Sequence, residues 1–134
     1  MFADRYLHKN NTETLISAPP STLMQISVVI PCYYEPDILK TLQSLFNCKL
    51  PKYEVEVIVL INQSEAETEE IRNFNKKTKV EIEEWSANNC KAGISFFAVG
   101  PVDLRKKWAG AGLARKKGMD EAVRRFNLLE KPGG

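Results

Sequence analysis

The sequence predicts one α/β domain with a Rossmann-like three-layer architecture, in which helices cover both faces of a mostly parallel sheet. Short apolar runs rich in β-branched residues alternate with longer segments whose apolar residues recur at helical spacing. Strands that alternate with helices are joined by right-handed crossovers and therefore run parallel. The 134 residues, 43% of them hydrophobic, are enough to bury one core, which excludes a wholly disordered chain.

The first part of the chain is predicted to form a leader, a strand and a helix. Residues 1–24 are expected to be an extended leader, because two consecutive prolines near its end disfavour helix. The apolar run 25–30 predicts a strand buried on both faces and ended by Pro31. The sequence EPD at 35–37 then predicts the start of a helix, with proline and acids in its first turn. Residues 25–134 together are expected to form the folded domain.

The middle of the chain is predicted to form a second strand and a second helix. Residues 54–61 become fully apolar towards their end, which favours a buried strand, and the polar residues 62–64 predict a loop. Ser64 is expected to cap a helix over residues 65–77. Residues 79–85 alternate enough for a strand, but continuation of the helix is favoured.

The last part of the chain is predicted to form a third strand and a third helix. The apolar run 94–99 predicts the strand, and the Gly-Pro pair at 100–101 is expected to end it. A long helix follows within residues 105–128, and its regular turns are expected to start near Gly112 because glycines precede them.

The composition argues against several classes of protein. No segment approaches the roughly 20 apolar residues of a membrane-spanning helix, and the polar N-terminus lacks the apolar centre of a secretion signal. Three cysteines at unrelated spacings predict reduced thiols and hence a cytoplasmic protein. The only histidine is His8, which argues against mechanisms that need a buried Ser–His or Cys–His pair.

Charge is unevenly distributed along the chain. The net charge is +2, yet residues 105–134 carry nine basic and three acidic side chains. A basic segment of this kind can contact phosphate, nucleic acid or a membrane surface, or it can be a solvated helix face. Nucleic acid is not expected as a partner, because Trp108 and Phe126 are the aromatic residues of this segment and Phe126 is predicted to lie in the core.

The residues that follow each strand are the candidate site, because ligands of such sheets bind beyond the carboxyl ends of the strands. After the first strand, Tyr33 and Tyr34 can stack on a planar base and Glu35 can accept hydrogen bonds. The alternative is that the two rings simply close the end of the sheet. Cys32 is predicted to be a small buried thiol, because no histidine is available to activate it.

Two further segments complete this candidate site. Asn62 can pair with a base edge through its amide, while the alternative role of residues 62–64 is to form a turn. Gly112 lets a phosphate approach the first turn of the last helix, and Arg115 can make a forked contact with it. The surrounding sequence matches neither the dinucleotide-binding fingerprint nor the Walker loop.

Three of these segments together resemble motifs of the family-2 glycosyltransferases. Residues 26–35 (ISVVIPCYYE), followed by a leucine-rich helix, are similar to the opening strand and Pro-x-Tyr-Asn-Glu motif of that family. Residues 54–61 (EVEVIVLI) are similar to its second strand, and residues 112–118 (GLARKKG) to its Gly-x-Ala-Arg-Asn-x-Gly element. The motifs occur in the family's order and extend over residues 25–126.

The resemblance implies the N-terminal half of a GT-A fold, which binds a nucleotide-diphosphate sugar, with a UDP-sugar as the expected donor. Pro31, Tyr33 and Glu35 would line the nucleoside, and Asn62 falls where the family has the aspartate that reads the base. Arg115 would lie near the nucleotide. The complete set of expected nucleotide-binding residues is Pro31, Tyr33, Glu35, Asn62, Ser64, Gly112 and Arg115.

The sequence departs from the family pattern at several points. Tyr34 and Asn62 replace the family's asparagine and aspartate, and Lys116 replaces the asparagine that follows its arginine. No Asp-x-Asp metal motif occurs in these residues, which end where the family's next strand is expected. The resemblance therefore implies an inverting glycosyltransferase, of which this chain is a truncated donor-binding part that is inactive alone. Mn²⁺ or Mg²⁺ is expected in the full-length enzyme, but no metal site in this chain.

A second interpretation stays open, namely a non-catalytic nucleotide-binding or interaction domain that keeps the α/β fold. Under the truncation hypothesis, the half sheet would also leave an unpaired strand edge. A homodimer formed through that edge is therefore expected.

Overall fold

The computed structural model describes residues 15–49, 54–105 and 111–129, so residues 1–14 of the predicted leader lie outside the described part. Strands and helices alternate in it: β1 (Met24–Cys32), α1 (Ile38–Asn47), β2 (Glu54–Ser64), α2 (Glu69–Asn88), β3 (Ile94–Leu104) and α3 (Ala111–Leu128). The three strands form one parallel sheet in the order β1-β2-β3. This architecture confirms the predicted α/β class.

Two apolar clusters lie on opposite faces of this sheet. On one face, alternate residues of β2 pack with α1 and α2, whose buried side chains include Leu42 and Ile82. On the other face, Ile58 and Leu60 of β2 pack with α3 through residues such as Ala114. Because β2 is covered on both faces, its sequence is almost continuously apolar rather than alternating.

Helix α3 covers the face of the sheet opposite to α1 and α2. Helices α1 and α2 lie on one face as the chain moves from β1 to β3, whereas α3 returns across the opposite face and packs against β1 and β2. Gly118 of α3 lies directly on Val29 of β1, and a Cβ atom at position 118 would collide with the valine side chain. Helices therefore cover both faces of the sheet, as in doubly wound folds, whose ligands bind beyond the carboxyl ends of the strands.

The first two strands run further than their sequences predict. Strand β1 continues through Pro31 to Cys32, because an edge strand tolerates a proline whose missing N–H is not needed for pairing. The polar residues 62–64 belong to β2, since their backbones pair with Val102, Asp103 and Leu104 of β3. The prediction of a loop at 62–64 is therefore wrong.

Strand β3 passes through Gly100 and Pro101, which the sequence predicts as its end. Gly100 has a φ of 108°, and a Cβ atom built there would collide with the carbonyl oxygen of Ile61. The register between β2 and β3 shifts between Leu60 and Asn62. This local irregularity accommodates the glycine and the proline, so pairing resumes beyond them.

Helix α2 begins at Glu69 rather than at Glu65. Thr68 is its N-cap, and the threonine hydroxyl accepts a hydrogen bond from the amide three residues further on, at 3.4 Å. Ser64, the predicted cap, still belongs to β2 and accepts from the amide two residues further on. The favoured continuation of the helix over residues 79–85 is confirmed.

The described end of the leader, residues 15–18, packs against α3. Ile16 is buried in the same apolar cluster as Ala114 of that helix. The backbone of this segment is held by two buried side chains of α3: Glu121 accepts from the Leu15 amide at 2.7 Å, and Arg125 donates to the Ala18 carbonyl at 2.6 Å. This segment therefore completes the second layer beside α3.

Candidate functional site

The loop after β1 turns sharply at Tyr34. This residue has a φ of 46°, in the left-handed region that bulky side chains rarely adopt. Its amide donates to Oδ1 of Asn75 at 3.1 Å, and its ring packs on Phe74 with a centroid separation of 4.6 Å. Two contacts from α2 therefore hold the turn that separates Tyr33 from Glu35.

Both tyrosine rings extend towards the start of α2. The Tyr33 hydroxyl donates to Glu67 at 2.9 Å, and the Tyr34 hydroxyl makes a longer contact of 3.5 Å with Glu70. The hydrogen bond to Glu67 raises the pKa of Tyr33 above its usual value. Tyr33 remains 48% exposed, so part of its ring is available to a ligand.

The other residues of this loop differ in exposure. Cys32 is buried, as predicted. Burial, with the carboxylate of Glu35 nearby, raises the pKa of Cys32 to about 11. Pro31 is half-buried within β1. Glu35 is exposed, and one of its carboxylate oxygens accepts from the Asp37 amide at 2.9 Å at the start of α1.

Asn62 joins the carboxyl ends of β1 and β2. Its Nδ2 donates to the carbonyl of Cys32 at 3.1 Å, and the residue is only 3% exposed. Because a carbonyl can only accept, this contact fixes which end of the amide is the nitrogen. The Asn62 side chain therefore has its Oδ1 acceptor and its second Nδ2 hydrogen left for a contact with a ligand at this edge.

A buried polar network continues from Asn62 to α2 and β3. Asn75 is fully buried and donates to Gln63 Oε1 at 3.2 Å, while Gln63 Nε2 donates to Asp103 at 2.8 Å. Arg72 donates to the same Asp103 oxygen at 3.0 Å. The hydrogen bonds from Gln63 and Arg72 lower the pKa of Asp103. This network ties α2 to the ends of β2 and β3.

The sequence did not single out the members of this network on α2. The sequence does contain one signal for Asn75, because its spacing from Thr78 and Ile82 puts the three residues on one face of a helix. In the structure all three are buried. A polar side chain on the buried face of a helix needs partners, and such partners are found in a functional or structural network. The sequence pattern offers no comparable signal for Arg72, whose partners lie on distant segments.

The remaining predicted site residues lie around the same edge. Ser64 forms a turn, because its hydroxyl accepts from the Ala66 amide at 3.1 Å and its carbonyl accepts from Arg72 at 3.2 Å. Gly112 and Arg115 are exposed in the first turns of α3, and Arg115 has no hydrogen-bond partner within the described ranges. Gly110 and the rest of the loop before α3 lie outside the described residues.

A cavity of about 230 Å³ lies between α1 and α2, lined in part by Glu35 and Phe74. It is smaller than the roughly 300–1,000 Å³ of ordinary ligand pockets.

The comparison with known sequences identifies the family. The model of glycosyl transferase family 2 matches residues 27–126, which is about three-quarters of the chain. The chain therefore belongs to glycosyl transferase family 2, and the resemblance of its three motifs is confirmed. The Rossmann-like sheet described above agrees with the GT-A fold of this family. No curated protein and no solved structure gives a significant match.

Full-length members of this family commonly use a divalent metal. Within residues 15–49, 54–105 and 111–129, no group of three or more histidine, cysteine or acidic side chains is placed to hold one. The acids nearest the strand ends have other partners, since Asp103 is held by Arg72 and Glu67 by Tyr33. A divalent metal stays a prediction for a full-length enzyme.

Among the described helices, none combines the length and the hydropathy that crossing a bilayer requires.

Proposed function

We propose that this chain binds the nucleotide of a nucleotide-diphosphate sugar and forms the donor-binding part of an inverting glycosyltransferase. The proposal is carried by the positions of the predicted nucleotide-binding residues in a chain that belongs to glycosyl transferase family 2. Residues 31–35 and 62–64 lie at the carboxyl ends of the neighbouring parallel strands β1 and β2. Doubly wound sheets bind nucleotides beyond the carboxyl ends of their strands, which supports the proposal.

The nucleoside would lie against the loop after β1. The half-exposed ring of Tyr33 offers a stacking surface, and the exposed carboxylate of Glu35 offers an acceptor for a sugar hydroxyl. Pro31 contributes apolar surface at the end of the strand. Asn62 presents a neutral acceptor, Oδ1, which matches the ring N–H of uracil. A UDP-sugar, which the family resemblance implies, is the proposed donor.

The diphosphate would lie towards the start of α3. The amide groups in the first turn of an 18-residue helix favour an anion, and Gly112 leaves open space there because no atom lies within 4 Å of a Cβ at that position. Arg115, one turn further along, is exposed and can pair with phosphate oxygens. Ser64 would shape the turn after β2, where its hydroxyl accepts from the Ala66 amide.

In an inverting transfer, the acceptor oxygen bonds to the anomeric carbon as the bond from that carbon to the diphosphate breaks. The residues named above would bind and orient the donor for this step. None of the seven is proposed as the general base. The chain is accordingly proposed to bind donor without transferring sugar by itself.

The proposal is tested by titrating the isotope-labelled chain with UDP and with GDP, each with and without Mn²⁺, and following amide shifts by NMR. We expect shifts at Tyr33, Glu35, Asn62 and Arg115 in the presence of UDP. Arg115→Ala is expected to weaken binding about tenfold, because a charge-assisted hydrogen bond is lost. Lys49→Ala is the matched control, since it removes an exposed cation beyond the end of α1.

Each outcome has a defined meaning. Equal weakening in both variants would indicate non-specific attraction of an anion and contradict the proposed role of Arg115. Tighter binding with Mn²⁺ would show that this chain supplies a metal ligand after all. No shifts at millimolar nucleotide would overturn the proposed function and favour a non-catalytic interaction domain.

A further inference from the structure

The backbone of Tyr34 has an unusual conformation that neighbouring residues must stabilise. A tyrosine at a φ of 46° is disfavoured, because its Cβ approaches the backbone too closely in the left-handed region. Such a conformation persists only where neighbouring groups determine it. Tyr34 lies between Tyr33 and Glu35, so its backbone angles set the directions of both neighbouring side chains.

The groups that determine this conformation come from two consecutive residues of α2. Asn75 Oδ1 accepts from the Tyr34 amide at 3.1 Å, and the Phe74 ring packs on the tyrosine ring at 4.6 Å. The amide of Asn75 cannot turn over without losing its other contacts. Its Nδ2 donates to Gln63 Oε1 at 3.2 Å and lies 3.5 Å from the Asn62 carbonyl oxygen.

Asn75 therefore contacts both parts of the candidate site at once. Its Oδ1 accepts from the loop after β1. Its Nδ2 contacts the end of β2 at Asn62 and Gln63. The side chain is fully buried and lies behind these segments, so it would not touch a ligand itself.

We propose that Asn75, supported by Phe74, is a positioning residue that holds the loop 33–35 in its nucleotide-binding conformation. This inference rests on the proposed function. Without the Asn75 acceptor, Tyr34 relaxes towards negative φ, and the ring of Tyr33 and the carboxylate of Glu35 move away from their binding positions. The apparent dissociation constant then rises in proportion to the loss of the binding-competent population.

The test measures the Kd of UDP for the whole chain and for Asn75→Ala, in two backgrounds. In the natural background we expect Asn75→Ala to raise the Kd about tenfold, which corresponds to about 1.4 kcal/mol. The second background carries Tyr34→Asn. Asparagine adopts the left-handed conformation far more readily than tyrosine, so the loop no longer needs the external acceptor. There we expect Asn75→Ala to change the Kd less than about twofold.

This dependence of the Kd on the background distinguishes a positioning role of Asn75 from a general contribution to stability. If Asn75 had a purely structural role, Asn75→Ala would lower the stability of the protein equally in both backgrounds. The Kd would then rise equally in both, and Tyr34→Asn would not restore it. Asn89→Ala is the control, because Asn89 also donates to a backbone carbonyl but lies at the far end of α2. It is expected to leave the Kd of UDP unchanged.

A second measurement covers the case in which Asn75→Ala does not fold. The Tyr34 amide of the natural chain is expected to exchange with solvent at least tenfold more slowly than an open loop amide, because Asn75 accepts from it. Phe74→Leu keeps that acceptor, removes the ring contact and is expected to raise the Kd two- to threefold.

Three results would overturn the inference. They are fast exchange of the Tyr34 amide, an unchanged Kd in Asn75→Ala or Phe74→Leu, and an equal rise of the Kd in both backgrounds. If the natural chain binds no nucleotide, the proposed function fails and this inference fails with it. Binding by the natural chain together with any of the three results would overturn the positioning role alone.

Discussion

At the scale of single residues, the candidate site combines exposed side chains with a buried side chain that already makes a hydrogen bond within the fold. Tyr33, Glu35 and Arg115 are exposed and available, whereas Asn62 is nearly inaccessible and already donates to the Cys32 carbonyl. The departure from the family motif at Tyr34 occurs at a position with positive φ. Asparagine suits that conformation without help, and a tyrosine there needs the contacts from α2.

The state of Cys32 gives a prediction at this scale. With its pKa raised to about 11 by burial, the thiol is protonated at pH 8 and reacts slowly. In the variant Cys48→Ser/Cys90→Ser, which leaves Cys32 alone, we expect alkylation by iodoacetamide to be at least tenfold slower in the native protein than in urea. Mass spectrometry of the labelled protein measures this ratio. Equal rates in the two conditions would contradict the buried, protonated thiol.

At the scale of elements, two kinds of polar contact join the layers. The amide network around Asn75 fixes α2 to the carboxyl ends of the strands. Nearer the amino ends, buried Arg125 of α3 donates to Glu56 of β2 at 2.8 Å and to the carbonyl of Ala18. The first group of contacts shapes the candidate site, and the second holds α3 and the leader on the sheet that carries it.

The Arg125–Glu56 pair predicts a large loss of stability on mutation. Glu56→Gln leaves the guanidinium buried without its counter-charge, so we expect the free energy of unfolding to fall by about 3 kcal/mol. Urea unfolding followed by circular dichroism measures the change. Lys40→Ala is the control, because it removes an ion pair in which Lys40 is 84% exposed and should change stability by no more than about 0.5 kcal/mol. Similar losses in the two variants would show that burial of the pair does not determine its importance.

At the scale of the whole molecule, the described sheet has three strands and therefore two edges. β1 is one of them, and it carries the exposed apolar side chain Ile26. Unpaired backbone groups on an edge strand favour association with another strand. The expected homodimer through a sheet edge therefore stays a proposal, now assigned to the edge of β1.

Sedimentation across a range of protein concentrations tests this proposal. We expect the average mass to rise towards that of a dimer as the concentration increases. Ile26→Lys should suppress the rise, because a lysine on an edge strand opposes pairing. Val80→Lys, which replaces an exposed apolar residue on α2, should leave the rise unchanged. A monomer at every concentration would contradict the proposal.

The sequence by itself determined the parts of the fold that depend on local pattern. The alternation of apolar strands and amphipathic helices predicted every described element and the parallel sheet, because burial on one or two faces imposes a period on the sequence. The rule that ligands bind beyond strand ends then indicated residues 31–35 and 62–64 as the candidate site. The three motifs also indicated the family, which the match over residues 27–126 shows.

Only the tertiary structure decided how those strand ends are built. Residues 62–64 look like a loop because they are polar, yet they lie in β2 because β3 supplies backbone partners. Gly100 and Pro101 look like a strand end, yet a shift in register keeps them within β3. Asn75 acquires its role from Tyr34 and Gln63, which are distant in sequence. Local patterns report burial, whereas the partners of a polar group are set by contacts between distant segments, and these exist only once the layers have packed.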